Sequence, residues 1–211
     1  YRYTPKTNAF MVTFWYPADP PAAGTLPSGG SDLGWVTDTN MWAFAKSWGV
    51  YGADPQWAQI FAKTVSHYFR GLPLASSAAK CPVLLFSPGA PANRTHASQN
   101  AEELASRGYV VVSTDPTDCW GTTFPDGRYL LGTGAYSGGA DVTDKPGRFK
   151  DLNFLVDELA RLNNGDPLFG GRLDLDRIGA FGNFSGGIVI DTCRSNSLVK
   201  CAAIWDGDSF S

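Results

Sequence analysis

The chain has 211 residues, of which 43% are hydrophobic and 13% aromatic, enough to fill the core of one domain spanning residues 1–211. Its 17 basic and 20 acidic residues give a net charge of −3 without long runs of either sign, which argues against a nucleic acid or an anionic membrane as partner. No apolar stretch reaches the roughly 18–20 residues that a membrane span needs, and the sequence opens without a signal-peptide pattern, so we expect a mature, soluble chain.

The cysteines of this chain are Cys81, Cys119, Cys193 and Cys201. They lack the C-x-x-C spacing of zinc sites, and only two histidines accompany them, so we expect no metal ion. Cys193 and Cys201 bracket a short polar segment and are natural disulfide partners, which would leave Cys81 to pair with Cys119. Two disulfides favour a secreted protein, whereas four buried thiols in a cytoplasmic enzyme are the alternative.

The amino-terminal part of the chain predicts a strand followed by an aromatic-rich insertion. Residues 9–17, AFMVTFWYP, alternate apolar and polar side chains and stop at a proline, as a strand does. Residues 35–70 then carry aromatic side chains at helical spacing, and Asp54 followed by Pro55 marks the start of a helix. We favour core packing over a lipid-facing lid for most of this insertion, because such stripes usually pack inside.

Two apolar runs separated by a helix predict a parallel sheet. Residues 83–86, VLLF, are continuously apolar, as in strands that are buried on both faces. Residues 98–107, SQNAEELASR, predict a helix that stops at Gly108, and residues 109–114, YVVVST, predict the next buried strand. A strand, a helix and a strand within about thirty residues indicate a βαβ unit.

The second half of the chain continues the alternation of helices and strands. Residues 116–147 are rich in Gly, Thr and Asp and predict a loop with a small hairpin at residues 125–127. An apolar stripe predicts a helix over residues 148–162, and residues 178–181, IGAF, predict a buried strand. A helix from Gly186 to about residue 194 should follow it.

The turn at residues 182–187, GNFSGG, is the candidate site of chemistry. Small residues between a buried strand and a helix are typical of a nucleophile elbow, and Ser185 is the only serine in this turn. The N–H of Gly186, and an N–H of the Gly89-Ala90 loop after the VLLF strand, would donate to the oxyanion of a tetrahedral intermediate.

The last predicted strand, residues 201–205, CAAIW, is followed directly by Asp206. An acid after a strand that follows the elbow has the position of the acid in a Ser-Asp-His triad. Asp208 is the fallback for this role. Each feature alone has a structural explanation, since a glycine-rich turn can be a mere connection, but their order along the chain favours a hydrolase.

In combination these segments resemble the α/β-hydrolases related to plasma-type platelet-activating-factor acetylhydrolases, particularly their fungal and bacterial members, over about residues 10–208. The matching segments are VTFWYPA, PVLLFSPG, AEELASRGYVVVSTDP, FPDGR, DLNFLVDELARLN and GRLDLDRIGAFG. The resemblance implies an α/β-hydrolase fold, in which helices flank a mostly parallel, doubly wound sheet. It also implies a serine esterase for short acyl chains, often in phospholipids, that needs no cofactor, with Ala90 as an oxyanion donor and Asp206 as the acid.

One departure from that family lies in the elbow itself. The family pattern is G-H-S-x-G-G, whereas this chain places Phe184 at the nucleophile position and Ser185 after it. We expect a strand one residue longer to bring Ser185 into the nucleophile role, because Asn183 tolerates unusual φ values and Gly187 is small. Without that shift Ser185 would pack inside and be inert.

A second departure concerns the histidine, because none follows Asp206 in this chain. We interpret His67 as structural, and we expect His96 to order its loop or to line the pocket together with Phe184. The last strands and the catalytic histidine are then expected on a further segment, either cut off or carried by a second polypeptide that completes the fold.

The sequence thus favours a secreted carboxylester hydrolase that acts on a small ester or lipid through an acyl-enzyme on Ser185. The alternative is a pseudo-hydrolase that acts as a binding scaffold or in a non-hydrolytic step of natural-product synthesis. A nucleotide-binding domain is much less consistent with the sequence, because no phosphate-loop motif is present.

Overall fold

The computed structural model describes residues 10–20, 68–69, 71–119, 121–124, 128–132 and 144–207. The helix predicted within the aromatic-rich insertion lies outside the described residues, as do His67, Asp208 and the hairpin turn at residues 125–127.

A five-stranded sheet forms the centre of the protein. Its strands are β1 (Val12–Trp15), β2 (Cys81–Ser87), β3 (Val110–Thr114), β6 (Leu173–Asn183) and β7 (Val199–Trp205). They lie in the order β1-β3-β2-β6-β7, with β1 antiparallel to β3 and all other neighbours parallel. The sheet confirms the strands predicted from the apolar runs and the parallel pairing expected of the βαβ unit.

A separate hairpin follows β3 in the chain. Its strands β4 (Gly121–Thr123) and β5 (Tyr129–Leu131) pair antiparallel. The predicted hairpin is therefore confirmed in its strands.

The described residues form three α-helices, which are α1 (Ser98–Ser106), α2 (Lys145–Gly165) and α3 (Ile188–Ser195). The carboxylate of Asp144 caps α2 by accepting the N–H of Gly147, and Pro146 lies in the first turn, where its missing N–H costs nothing. None of the described helices has both the length and the apolar character that a membrane crossing requires. The structure lengthens α2 beyond its predicted bounds at both ends.

Side chains on the two faces of the sheet form two apolar clusters. Along β2, Val83 and Leu85 point toward α2 and α3, whereas Phe86 points toward α1, because successive strand residues alternate between faces. The stripe on α2 consists of the buried residues Leu152, Leu155, Val156 and Leu159. Helices thus pack on both faces of the sheet, and a site can form at its carboxyl edge, where the parallel strands end together.

The cysteines correct one prediction, because none of the four forms a disulfide. Cys81 begins β2, whereas Cys119 follows the end of the parallel strand β3, so the two lie at opposite edges of the sheet. Cys193 packs with the cluster under α2 and α3, whereas Cys201 lines the opposite, α1-facing side. Neither pair can form a disulfide in this fold, because the sheet separates the partners. The cysteines therefore give no support for a secreted protein.

Candidate active site

The elbow begins where β6 ends at Asn183, and a short 3₁₀ turn, Phe184–Gly187, leads into α3. Phe184 has a φ of 48°, in the left-handed region, and the residue is 58% exposed. The tip of the elbow is therefore Phe184, and the one-residue shift that would place Ser185 there is not found. The turn is possible because Gly182 and Gly186 approach each other with no room for a side chain on either.

Ser185 lies directly behind the tip and is only 2% exposed. Its Oγ accepts a hydrogen bond of 2.6 Å from the N–H of Ala90. Because Ala90 was predicted as an oxyanion donor, the structure brings together the serine and one donor of the predicted hole. For Ala90 to act as predicted, an oxyanion would have to replace the serine hydroxyl as acceptor of this N–H.

The loop that carries Ala90 touches the elbow at a second point. The N–H of Gly89 donates to Asn183 Oδ1 at 3.0 Å. A Cβ on Gly89 would lie 2.9 Å from both the Asn183 carbonyl oxygen and the Phe184 Cβ, so only glycine fits. We call Pro88–Arg94 the oxyanion loop, and it is held against the elbow by these contacts.

Gly186, the other predicted donor, is buried against the end of β2. A Cβ at this position would collide with the Ser87 carbonyl oxygen. Gly186 therefore packs the elbow against the end of β2, directly before the oxyanion loop.

Asp206 follows β7 and lies beside the elbow through its backbone. Its carbonyl oxygen accepts the Phe184 N–H at 3.0 Å, and the next residue, Gly207, packs against the Phe184 backbone. Asp206 has a φ of 56° and an exposed side chain. Within the described residues no hydrogen bond joins its carboxylate to Ser185 or to His96. The structure thus places the predicted acid near the elbow without a triad contact.

His96 lies in the loop between Ala90 and α1, where its N–H donates to the Asn93 carbonyl oxygen at 3.0 Å. Its side chain is exposed, and partial desolvation of the ring lowers the pKa of this histidine below its ordinary value. No hydrogen bond among the described residues connects it to Ser185. The described residues therefore do not supply a histidine that is hydrogen-bonded to the serine.

Two buried ion pairs beside the oxyanion loop were missed from the sequence. Arg94 pairs with Asp115 and Arg148 pairs with Asp118, and both aspartate side chains are 0% exposed. Burial raises the pKa of Asp115, and the Arg94 guanidinium opposes that rise. A signal for one pair exists in the sequence, because Arg148 stands one turn before Leu152 on the apolar stripe of α2, where a charged residue is unexpected.

A groove of about 590 Å³ opens on the α1-facing side of the sheet between α1 and β7. Leu84, Leu104, Phe181 and Trp205 give it an apolar lining, and Ser185 and Ala90 do not contribute to it. The described residues contain no cluster of three or more His, Cys, Asp or Glu side chains that could hold a metal ion.

Comparison with solved structures shows the class of fold, which is that of the α/β-hydrolases. A ferulic acid esterase from Streptomyces cinnamoneus matches with a TM-score of 0.63 and 26% identity over 90% of this chain and 49% of its own. The α/β hydrolase GrgF from Penicillium sp. sh18 matches with a TM-score of 0.45 and 16% identity over 62% of this chain and 39% of its own. The chain thus spans about half the length of the esterase.

No family model matches the chain, and no curated protein matches it either. The fold predicted from the sequence is confirmed, whereas platelet-activating-factor acetylhydrolase specificity gains no support from these similarities.

Proposed function

We propose that this protein hydrolyses carboxylic esters through Ser185. The observation that carries the proposal is the hydrogen bond of 2.6 Å that the Ala90 N–H donates to Ser185 Oγ, because it joins the elbow serine to the N–H that we propose as an oxyanion donor. The similarity to a ferulic acid esterase, at 26% identity, supports an ester as substrate.

The proposed reaction starts when the carbonyl oxygen of the ester replaces Ser185 Oγ as acceptor of the Ala90 N–H. The released Oγ attacks the carbonyl carbon, its proton passes to a histidine, and the Ala90 and Gly186 N–H groups stabilise the oxyanion. The C–O bond to the alcohol then breaks as the histidine returns the proton to the leaving oxygen. Water hydrolyses the resulting acyl-enzyme by the same steps, which releases the acid and regenerates Ser185.

The histidine of this reaction is proposed to come from a segment outside the sequence, on the same or a second polypeptide. Asp206 would orient it, because its backbone carbonyl oxygen accepts the Phe184 N–H at the elbow and its side chain is exposed. If that segment covered the elbow, it would also exclude water from the Phe184 ring, which is exposed here.

Aromatic acyl esters are the first substrates to assay, because the matched esterase is described as acting on ferulic acid esters. The Phe184 ring, exposed beside the serine, offers a surface on which an aromatic acyl group can stack. Short acyl esters and phospholipid acetyl esters form the second set.

A second candidate is a protein that binds esters without turning them over. It is favoured by Phe184, which holds the left-handed tip of the elbow, where a nucleophile would be expected, and by the burial of Ser185. A change of Phe184 to serine would then restore the hydroxyl that the tip lacks.

Labelling of the full-length protein with a fluorophosphonate separates the two candidates. We expect the wild-type protein to be labelled at Ser185, and Ser185→Ala to lower labelling and ester turnover by about 10³-fold or more, as for loss of a nucleophile. Peptide mapping identifies the labelled residue. An unlabelled wild-type protein, together with labelling of Phe184→Ser at position 184, would refute the role of Ser185 and favour the protein that binds esters without turnover.

A further inference from the structure

The peptide group between Pro88 and Gly89 is held at both of its polar ends. Its carbonyl oxygen accepts a hydrogen bond from Arg148 Nη1, and its N–H donates to Asn183 Oδ1 at 3.0 Å. Because the C=O and N–H of a trans peptide point in opposite directions, these two contacts fix the orientation of the peptide plane. The next N–H along the chain belongs to Ala90, the proposed oxyanion donor.

The Arg148 side chain is itself immobilised by Asp118. Arg148 Nε donates to Asp118 Oδ2 at 2.7 Å, and Nη2 lies 2.6 Å from Oδ1 as an ion pair without the angles of a hydrogen bond. The side chains are 1% and 0% exposed. Asp118 Oδ2 also accepts the N–H of Asp144 at 2.8 Å, which ties the pair to the start of α2.

The other end of the oxyanion loop is fixed separately. The N–H of Arg94 donates to Asp115 Oδ1 at 2.8 Å, and its guanidinium pairs with the same carboxylate. Because this pair lies four residues beyond Ala90, it leaves the upstream peptide to be oriented by Arg148 and Asn183.

A buried ion pair is weak as a source of stability, because desolvation of both charges offsets their attraction. We infer that Arg148 is a positioning residue, which orients the Ala90 N–H toward Ser185 through the Pro88–Gly89 peptide. The effect of Arg148 on catalysis rests on the proposed function, whereas its effect on the conformation of the loop can be measured without an activity assay.

The test compares Arg148→Lys with a matched control, Arg172→Lys. Lysine keeps the charge but loses the guanidinium geometry that reaches Asp118 and Pro88 together. Arg172 also donates to backbone carbonyls, those of Ala75 at 2.8 Å and Ala78 at 2.9 Å, but it precedes β6, at the opposite edge of the sheet from the elbow.

Two quantities are measured on the full-length protein. Amide hydrogen exchange of Gly89 and Ala90, resolved by NMR, should accelerate by about tenfold or more in Arg148→Lys and stay unchanged in the control. Fluorophosphonate labelling should reach full stoichiometry with a rate constant about 10–100-fold lower, because a misplaced donor slows attack without removing molecules from the active population.

If Arg148→Lys does not fold, the double variant Arg148→Met/Asp118→Asn replaces it, because removing both charges avoids an unpaired one and Asn keeps an acceptor for Asp144. Unchanged exchange at Ala90, or a lower labelled fraction with an unchanged rate constant, would overturn the inference. Accelerated exchange in a protein whose wild-type form is not labelled would uphold the positioning of the loop and refute only the proposed hydrolysis.

Discussion

The elbow and the oxyanion loop meet at Ser185, but different forces hold the two regions in shape. The elbow is set by backbone against backbone, because Gly182 and Gly186 leave no space for side chains. The oxyanion loop is set by polar side chains, which reach its backbone from Asn183 and Arg148. Close backbone packing therefore dominates in the elbow, whereas the oxyanion loop, which also needs glycine at position 89, depends in addition on hydrogen bonds from side chains.

This difference explains how the tip of the elbow can carry a phenylalanine. The turn depends on glycines on either side of the tip, so the residue at position 184 can change while the backbone path is kept. The loop has no such freedom, because the loss of one side chain leaves a backbone N–H or C=O without its partner. Substitutions in the two regions should therefore fail in different ways.

The largest effect is expected from Gly186→Ala, which tests the close backbone packing of the elbow. The new Cβ would collide with the Ser87 carbonyl oxygen, which the end of β2 holds in place. We expect a loss of about 3 kcal/mol or more in the free energy of unfolding, measured by urea denaturation. In the control Gly165→Ala the Cβ meets nothing within 4 Å, and its stability should be equal to wild type or slightly higher. Equal stability of the two variants would contradict the steric account.

A smaller effect is expected from Asn183→Ala, which tests the hydrogen bond between the elbow and the oxyanion loop. The Gly89 N–H loses its acceptor, and a buried donor left unpaired costs about 1–3 kcal/mol of unfolding free energy. Asn183→Asp keeps an acceptor oxygen at this position, so it should recover most of the loss in the same urea experiment. If the alanine and aspartate variants are equally unstable, the hydrogen bond to Gly89 is not what Asn183 contributes.

The smallest effect is expected from His96→Asn, because His96 is exposed and contacts neither the elbow nor Arg148 by a hydrogen bond within the described residues. Desolvation lowers its pKa in the folded state, so the unfolded chain binds the proton more readily and stability falls as pH drops through the ordinary value of 6.5. The variant should therefore show a slightly flatter dependence of melting temperature on pH between about 5 and 6.5, with wild-type stability at pH 8. A large loss of stability at pH 8 would contradict this expectation and show that the His96 side chain stabilises the fold.

The elements of the fold could be predicted because they are encoded locally. Continuous apolar runs predicted β2 and β3, and an apolar stripe predicted α2, since periodicity reports directly on which faces are buried. The disulfides could not be predicted this way, because pairing depends on which edge and which face of the sheet each cysteine occupies. The same limit applies to Arg148. Its position on an apolar stripe predicts that it is buried, but the sequence does not show which residue it pairs with.

By itself the sequence determined the order of strands and helices, the glycines of the elbow and the presence of a single serine there, because these follow from short-range sterics and periodicity. Only the tertiary structure decided that Phe184 holds the left-handed tip and that Ser185 turns inward to the Ala90 N–H. That contact joins residues separated by 95 positions, and it exists because parallel strands end at one edge of the sheet and bring their loops together.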